Sequence, residues 1–214
     1  MSRRAGPRTR GRPKAADAVP SEDILAVALR TFATYGYDGV SLRTINRELG
    51  ASHNLTYQRF GTKEELWKAA VDYGFGGLVD YARSVWDPTV TDALEQLRLA
   101  VRGFILYSAA HPELLGLMSI EGRQNTERLR YIYDTYIEPA QRPMDRLLTH
   151  LAGEGKIRKI PYRTFFFLFA HGGASSFTLA PLARFFDPAD PADQRTAEEQ
   201  ADLVATVIVN GLRI

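Results

Sequence analysis

The stretch of the chain that decides its fold runs from Ser41 to Lys63 and reads SLRTINRELGASHNLTYQRFGTK. Ser41 predicts the start of a short helix, because its hydroxyl can accept a hydrogen bond from a free N–H of the first helical turn. The apolar side chains of that helix recur on one face; they are Leu42, Ile45 and Leu49. Gly50 ends the helix, since glycine takes a positive φ without steric cost. Ser52 is expected to cap a second short helix that runs to about Phe60.

Two short helices joined by a glycine-containing turn indicate a helix-turn-helix, whose second helix lies in the major groove of DNA. The exposed positions of the second helix carry side chains that suit base edges. His53, Asn54 and Gln58 can donate and accept hydrogen bonds. Arg59 only donates. The pattern therefore predicts a module that reads double-stranded DNA.

Helical signals continue on both sides of this motif. Ser21 is expected to cap a first helix, and the segment from Thr62 to Glu65 forms a capping box that opens a fourth. The later segments with helical periodicity are residues 91–110, 113–120, 127–151, 162–186 and 196–213. Pro139 and Pro143 predict a kink or break in the third of these. We predict an all-α fold of about nine helices, with a three-helix helix-turn-helix domain before a C-terminal helical domain.

Composition and charge limit the chemistry of the chain. Its 214 residues include no cysteine, which excludes disulfides, thiolate metal sites and a cysteine nucleophile. The formal net charge is +2, but six basic residues and no acid fall within the first fourteen positions, so the other 200 residues carry −4. Residues 1–20 are expected to form a disordered basic arm that favours a polyanion partner. They contain no apolar core of a secretory signal, so the expected compartment is the cytoplasm.

One uncharged stretch has to be compared with a membrane span. Residues 164–183 contain no charged side chain and approach the roughly 20 residues that a spanning helix needs. Their middle is rich in glycine and serine, and Pro181 interrupts the far end. A buried helix of a soluble protein explains the stretch better, so no membrane partner is expected.

The order of motifs across residues 24–66 is that of a known family. The chain shows F-x-x-x-G-Y-x-G, S-x-R-x-I, L-G-A-S, Y-x-R-F-G and K-E-E-L in succession. This segment closely resembles the DNA-binding domain of the TetR family of bacterial repressors. The resemblance implies a DNA-binding domain over residues 21–66 and an effector-binding and dimerisation domain over residues 67–214.

The resemblance also implies which residues touch DNA. The positions that match DNA-contacting residues of the family are Arg43, Thr44, Ser52, His53, Asn54, Leu55, Tyr57 and Lys63. Tyr57 corresponds to a tyrosine whose hydroxyl packs on a phosphate. Lys63 opens the fourth helix, where its ammonium and the backbone N–H groups can both meet a phosphate.

Three departures from the family pattern fall inside this segment. Asn46 replaces an alanine that usually faces the partner helix, so the packing there is expected to be looser or polar. His53 replaces a common lysine. Leu55 and Thr56 reverse the usual order, which would point the apolar Leu55 side chain at DNA and toward a thymine methyl group.

The basic arm contains the sequence Arg10-Gly11-Arg12-Pro13, which resembles the core of an AT-hook, a minor-groove element. We predict that Arg10 and Arg12 enter the minor groove beside the half-site. Residues 21–63 carry five basic and four acidic side chains and are nearly neutral. The arm is therefore expected to supply much of the electrostatic affinity. A solubilising tail is the alternative.

A homodimer on a palindromic operator is a further implication of the resemblance, since a two-fold DNA site needs a two-fold protein. The last predicted helix has apolar residues on most of its sides, and so does the uncharged helix. We expect both helices and their symmetry mates to form a four-helix interface. The expected interface residues are Gly172, Ala174, Phe177, Val204, Ile208 and Leu212. A monomer with a thick core is the alternative.

A small-molecule effector is the other partner that the resemblance implies, bound in the C-terminal domain. Aromatic side chains there suit an apolar or aromatic ligand. The candidate ligand residues are Trp86, Phe104, Tyr107, His111, Tyr131, Phe169 and His171. Plain core packing is the alternative for each. The fourth helix is the expected lever between the domains, and its Gly74, Gly76 and Gly77 are either a soft point or a frayed end.

The motifs of common enzyme classes are missing from the sequence. The four histidines show no H-x-x-x-H or H-E-x-x-H spacing, and neither a phosphate-cradling glycine loop nor G-x-S-x-G occurs. We therefore predict a transcriptional regulator, by family default a repressor, with no enzymatic activity, no cofactor and no metal ion. The remaining alternative is a helical protein-interaction module that binds no specific DNA sequence.

Overall fold

The computed structural model describes residues 19–214. Arg10, Arg12 and the rest of the predicted basic arm up to residue 18 lie outside the described residues. The first four helices are α1 (Ser21–Tyr35), α2 (Leu42–Glu48), α3 (Leu55–Phe60) and α4 (Lys63–Ser84). The later α-helical segments are α5 (Ala93–Ala110), α6 (Pro112–Glu121), α7 (Glu127–Ile132), α8 (Glu138–Gly153), α9 (Tyr162–Phe167), α10 (Ala174–Thr178), α11 (Ala180–Phe186) and α12 (Gln194–Leu212).

Two π-helical turns make longer helices of these segments. Tyr133–Ile137 joins α7 to α8, and Leu168–Gly173 joins α9 to α10, so the described chain forms ten helices. Within residues 19–214 there is no strand, only an isolated bridge between Ile157 and Arg213. The predicted all-α fold is confirmed.

Of the four predicted N-caps, two are observed in the structure and two are not. Ser41 Oγ accepts from the Thr44 N–H at 3.1 Å, and the capping box of Thr62 and Glu65 forms in both directions. The N-cap of α1 is Pro20 rather than Ser21. The prediction for Ser52 is wrong as well, because α3 begins at Leu55 with no side-chain cap.

The uncharged stretch is not one helix, contrary to the prediction for residues 162–186. α9 passes through a π turn into α10, and α11 leaves α10 at an angle of 87°. Pro181 lies in the first turn of α11, where a proline is tolerated because that N–H needs no intrahelical partner. Among residues 19–214 no single helix is long and apolar enough to cross a membrane, although Tyr162–Thr178 and Ala180–Phe186 reach that length and composition as a bent pair.

The predicted break in the long helix takes the form of the first π turn. Tyr133–Ile137 ends just before Pro139, which has no N–H to donate to the carbonyl of Thr135. The helix continues through Pro143 to Gly153. The helix from α7 to α8 is therefore not broken at the prolines; it contains one wider π turn instead.

Two hydrophobic cores hold the helices together. We call α1 to α3 with the N-terminal half of α4 the head, and α5 to α12 the body. The head core is built around fully buried Phe32, Ile45 and Trp67. The buried side chains that the body adds to this core are Leu114, Leu117 and Ile132. The head is thus packed directly on α6 and α7.

The body has its own core, formed mainly by α5, α12 and the second π-containing helix. α5 and α12 also carry an ion-pair cluster at their surface. Asp202 on α12 accepts from Arg102 Nε at 2.8 Å and from Arg98 at 3.3 Å on α5. This cluster and the apolar packing beneath it hold the last helix against the body.

Candidate nucleic-acid interface

Asn46 fixes the crossing of α2 and α3. Its side chain is 1% exposed, its Nδ2 donates to the His53 carbonyl at 2.7 Å, and its Oδ1 accepts from the Thr56 N–H at 3.1 Å. The Thr56 N–H is one of the N–H groups that a helix start leaves without an intrahelical partner. Asn46 therefore acts as a cap supplied from the neighbouring helix, and the polar alternative for this departure from the family pattern is the one observed.

The outer side of α3 and of the turn before it is polar and accessible. Tyr57 is 64% exposed, and Ser52, His53, Asn54 and Gln58 are exposed as well. Donors and acceptors of these side chains are free to reach base edges or phosphates. On α2, Arg43 is exposed, while Thr44 shares a 2.9 Å hydroxyl hydrogen bond with Ser41.

Leu55 does not belong to this outer side. It is only 5% exposed and packs in the head core, which contradicts the expectation that its side chain points at DNA. Thr56 is buried beside it, and its Oγ1 has no hydrogen-bond partner within residues 19–214. The reversed order of these two residues therefore changes the head core and leaves the polar surface to their neighbours.

Lys63 is tied into the head. Its Nζ donates to the carbonyls of Tyr37 at 2.9 Å and Val40 at 3.0 Å, and it lies 4.1 Å from the centre of the Tyr37 ring. An ammonium has three N–H donors, so one is left for a phosphate. Lys63 thus holds the loop between α1 and α2 in addition to any contact with DNA.

The same tyrosine connects the head to the body. The Arg128 guanidinium on α7 lies 4.2 Å from the Tyr37 ring centre. Arg128 Nε donates to both carboxylate oxygens of Glu121, at 3.1 and 3.2 Å, and Glu121 is only 3% exposed. Burial raises the pKa of the Tyr37 hydroxyl above its ordinary value. A buried carboxylate is therefore linked through Arg128 and Tyr37 to Lys63.

A second connection holds the middle of α4. Asp72 Oδ1 accepts from the hydroxyls of Tyr131 and Tyr136, each at 2.6 Å. In a regular α-helix, side chains five residues apart point about 140° away from each other. The π turn between α7 and α8 spreads one turn over more residues, so both tyrosines reach one oxygen. Burial first, and then the hydrogen bond to Asp72, raise the pKa of Tyr131 to about 12.

Two glycines of α4 allow close helix packing. A Cβ on Gly74 would lie 2.6 Å from Leu29 Cδ2 of α1 and 2.7 Å from Leu114 Cδ2 of α6. A Cβ on Gly77 would lie 2.5 Å from the Tyr107 hydroxyl, which donates to the Gly74 carbonyl at 3.2 Å. These positions are packed, so the frayed-end alternative is wrong for them.

The predicted ligand residues are spread over several separate contacts. Phe104 and Phe169 pack edge to face in the body core, with ring centres 4.9 Å apart. The remaining candidates lie elsewhere: Tyr107 stacks on His111, Tyr131 packs on Trp67 of the head, His171 stacks on Phe167, and Trp86 is exposed. None of the seven lines the cleft of about 210 Å³ between the α1–α2 and α6–α7 loops, whose walls include Tyr35 and Glu121.

Half of the predicted interface residues are buried inside the chain itself. Ala174, Phe177 and Leu212 belong to the body core, which contradicts their assignment to a dimer interface. Small residues in this region serve internal packing, since a Cβ on Gly173 would lie 2.8 Å from Val204 Cγ1. Gly172 is exposed, while Val204 and Ile208 are partly buried against the body core.

The apolar side chains that remain exposed are on other positions of the same region. On α12, Leu203 is 64% and Val207 is 60% exposed, one helical turn apart. α11 has no buried residue, and its Phe185 and Phe186 are among the most exposed large apolar side chains of the described chain. Apolar area of this kind is typical of a surface that a partner covers.

A helix-turn-helix with an accessible polar second helix, set on an all-α body, defines a DNA-binding transcriptional regulator. A sequence model described as bacterial regulatory proteins, tetR family, matches residues 24–70. This match covers the helix-turn-helix and supports a regulator of the TetR type. Among curated proteins, none matches the chain by sequence.

Solved structures extend the similarity over the whole chain. A ketosteroid transcriptional regulator of Mycobacterium tuberculosis is 18% identical, with a TM-score of 0.70 over 97% of this chain and 100% of that chain. A fatty acid degradation regulator from Bacillus halodurans is 20% identical, with a TM-score of 0.64 over 95% and 99%. A TetR family regulator from Streptomyces coelicolor is 25% identical, with a TM-score of 0.65 over 89% and 91%. The body as well as the head therefore has the fold of these regulators.

Proposed function

We propose that this regulator is a repressor that binds a palindromic operator as a homodimer and leaves it when a small, largely apolar or aromatic ligand binds the body. The observation that carries the proposal is the accessible polar surface of α3, held in place by buried Asn46. A short helix with few internal hydrogen bonds needs such external support to present side chains in a fixed geometry.

The proposed DNA contacts divide into readers and anchors. His53 and Asn54, in the turn before α3, read base edges in the major groove. The Tyr57 hydroxyl donates a hydrogen bond to a phosphate oxygen. The third N–H of Lys63 donates a hydrogen bond to a phosphate as well. Arg43, Thr44 and Ser52 complete the contacts at the edge of the groove. Leu55 is no longer among them, because it is buried.

Arg10 and Arg12 are proposed to lie in the minor groove beside each half-site. The near neutrality of residues 21–63 supports this role, because phosphate contacts need basic side chains. Deleting residues 1–14 should flatten the dependence of log affinity on log salt by about 0.9 for each phosphate that the arm neutralises. An unchanged slope would favour the solubilising tail.

The proposed dimer places two α3 helices about 34–36 Å apart, or at a multiple of that distance. The exposed Leu203 and Val207 on α12 and the uncovered apolar side of α11 support a second copy as the partner. Gly172, Val204 and Ile208 are proposed to border this surface. The partner copy covers the apolar surface and sets the spacing of the half-sites.

The proposed ligand enters the aromatic core of the body near Phe104 and Phe169, where apolar and aromatic surface dominates. The names of the ketosteroid regulator and the fatty acid degradation regulator, which share the fold, also refer to apolar compounds. Ligand can release DNA only if it binds the released conformation more tightly than the DNA-bound one. Tyr107 on α5 packs against Gly74 and Gly77 of α4 and is proposed to transmit the effect of ligand binding from the body to α4.

Selection from random duplexes, followed by a gel-shift assay with the selected DNA, tests the DNA-binding part. A variant with His53→Ala, Asn54→Ala and Tyr57→Phe should lose selective binding. The matched control replaces the same residue types at exposed positions of the body: His150→Ala, Asn125→Ala and Tyr133→Phe. No selective duplex for the wild type would favour the helical interaction module instead.

The ligand part needs a separate measurement. A long-chain fatty acid and a sterol are added to the complex of protein and selected duplex, with acetate as a polar control. Release of DNA by either apolar compound, and not by acetate, is the expected result. Substituting Phe169→Ala should weaken that response while the affinity for DNA stays within about twofold. Release that is identical in the variant would remove Phe169 from the site.

A further inference from the structure

Arg59 connects the recognition helix to the point where the described chain begins. It lies in the last turn of α3; its Nη1 donates to Ser21 Oγ at 3.1 Å and its Nη2 donates to the Val19 carbonyl at 3.2 Å. Val19 directly follows the segment that contains the basic arm. We propose that Arg59 is a positioning residue that fixes the root of the arm on α3, so that the arm meets DNA beside the half-site. The inference rests on the proposed DNA binding and adds a residue to it.

The Ser21 hydroxyl binds Arg59 and does not cap α1. Ser21 stands at the start of α1, but Pro20 is the N-cap. The two guanidinium nitrogens of Arg59 point to two acceptors of one short segment, which suits the planar fork of arginine better than the single ammonium of lysine. Val19 also packs against the head core. The root is therefore held by two hydrogen bonds and one apolar contact.

Sequence distance limits what the fixed root can do. Lys14 lies five positions before Val19, a distance of at most about 18 Å along an extended chain, and Arg10 lies nine positions before it, at most about 32 Å. Arg10, Arg12 and Lys14 therefore stay within about one helical turn of DNA from Val19. A tether with a fixed origin raises the effective concentration of its charged groups at nearby phosphates. Arg59 contributes to affinity through the arm and does not need to touch DNA itself.

A double-mutant cycle measures whether Arg59 acts through the arm. Affinity for the selected duplex is measured by fluorescence anisotropy for Arg59→Gln in the full chain and in a chain lacking residues 1–14. Arg59→Gln should weaken binding about three- to tenfold in the full chain, the size of one exposed charge-assisted contact, and less than about twofold without the arm. Ser21→Ala removes one acceptor without changing the charge and should give a smaller loss that again requires the arm. Arg30→Gln, an exposed arginine of α1, is the charge control.

The possible results separate the explanations. An equal loss with and without the arm would mean that Arg59 itself binds DNA and would overturn the proposal, and so would no loss in either chain. If the wild type selects no duplex, the proposed DNA binding itself is wrong. That result is obtained before any Arg59 variant is made, so it is distinct from a failure of the Arg59 proposal. Amide exchange gives a readout without DNA, because the Ile24 N–H donates to the Pro20 carbonyl at 3.2 Å. Faster exchange of the Ile24 amide in Arg59→Gln is expected, and unchanged exchange would contradict the anchoring contact.

Discussion

Asn46 shows how one side chain can decide whether a short helix presents a usable surface. α3 has only six residues, so few of its N–H groups have partners within the helix. Asn46 satisfies the Thr56 N–H and the His53 carbonyl from α2, and it does so from a buried position. The side chains that we propose to read DNA, before and after this contact, owe their position to it.

Replacing Asn46 by alanine should therefore be costly, although alanine is common at this position in the family. The change leaves two buried polar groups without partners, so the free energy of unfolding should fall by about 2–4 kcal/mol. Urea denaturation measures the loss. Asn125→Ala, in an exposed loop, is the control and should change stability by less than about 0.5 kcal/mol. An Asn46→Ala variant as stable as this control would contradict the role given to Asn46.

The side chains near the motif also show where inference from sequence ends. The helix starts at Ser41 and Thr62 follow from local chemistry and are predicted correctly. The burial of Leu55 depends on how α3 is rotated against the head core, which the sequence of α3 alone does not reveal. The two carbonyl acceptors of Lys63 lie on a loop more than twenty residues earlier in the chain. Long-range partners of this kind need coordinates.

The packing around α4 differs along its length, as the space around its glycines shows. Gly74 is in close contact with Leu29 and Leu114, two side chains from different helices, whereas a Cβ on Gly76 would meet no atom within 4 Å. Alanine favours a helix interior over glycine by about 0.5–1 kcal/mol. Gly76→Ala should therefore stabilise the protein by about that amount. Gly74→Ala should destabilise it by about 1–3 kcal/mol, because both leucines must move.

Thermal and urea unfolding of these two variants form a matched pair within one helix. The comparison removes the effect of helix propensity, since both replace glycine by alanine in the interior of α4. Equal shifts in the two variants would mean that the contact between α1, α4 and α6 at Gly74 carries no packing constraint. In that case α4 would be free to move against both neighbours.

The clamp of Tyr131 and Tyr136 on Asp72 depends on pH in a direction that the structure fixes. The pKa of Tyr131 is raised to about 12 from an unfolded value of about 10. A raised pKa means that the stabilisation is complete below about pH 10 and is lost as pH rises toward 12. The difference in unfolding free energy between wild type and the Tyr131→Phe, Tyr136→Phe variant should be largest at about pH 8 and shrink at about pH 11.

Urea titrations at the two pH values check this expectation. Tyr133→Phe is the control, because Tyr133 is exposed and makes only a 3.4 Å contact with Gln141. Its difference from wild type should be small at both values. A difference for the double variant that stays constant with pH would mean that the two hydroxyl groups do not stabilise the contact of α4 with α7 and the π turn that follows it.

Helix order was predictable over most of the chain, whereas helix shape was not. Periodicity and capping residues predict nearly all the helices within a few residues, and the TetR resemblance predicts their arrangement. The two π turns escape such reasoning, because they arise from tertiary demands such as the convergence of Tyr131 and Tyr136. Pro181 predicts that a helix is interrupted near the end of α10, but it does not predict the 87° angle between α10 and α11.

The head and body are joined through α7 at two separate places. Arg128 reaches Tyr37 beside Lys63, and Tyr131 reaches Asp72 in the middle of α4. Ile132 of the same helix lies inside the head core. A movement of α7 would therefore change the support of α4 both near its start, at Lys63, and in its middle, at Asp72. Coupling through packed side chains and hydrogen bonds requires such contiguous contacts.

The proposed association of two copies rests on the apolar residues that one chain leaves uncovered. Leu203 and Val207 share the outer side of α12, while their neighbours Ala201, Ala205 and Val209 are buried against the body. Charged side chains at the two exposed positions would have to be desolvated in a dimer, which costs several kcal/mol for each ion. The Leu203→Glu, Val207→Glu variant should therefore sediment as a monomer.

A monomer can occupy only one half of a palindrome at a time, so its affinity for the selected duplex should fall at least about tenfold. Thr206→Glu is the matched control, because Thr206 is also exposed on α12 and lies between the two substituted positions without adding to the apolar surface. The control should remain dimeric and bind DNA as the wild type does. A double variant that still sediments as a dimer would place the interface elsewhere, and the exposed aromatic pair of Phe185 and Phe186 on α11 would then be the next surface to substitute.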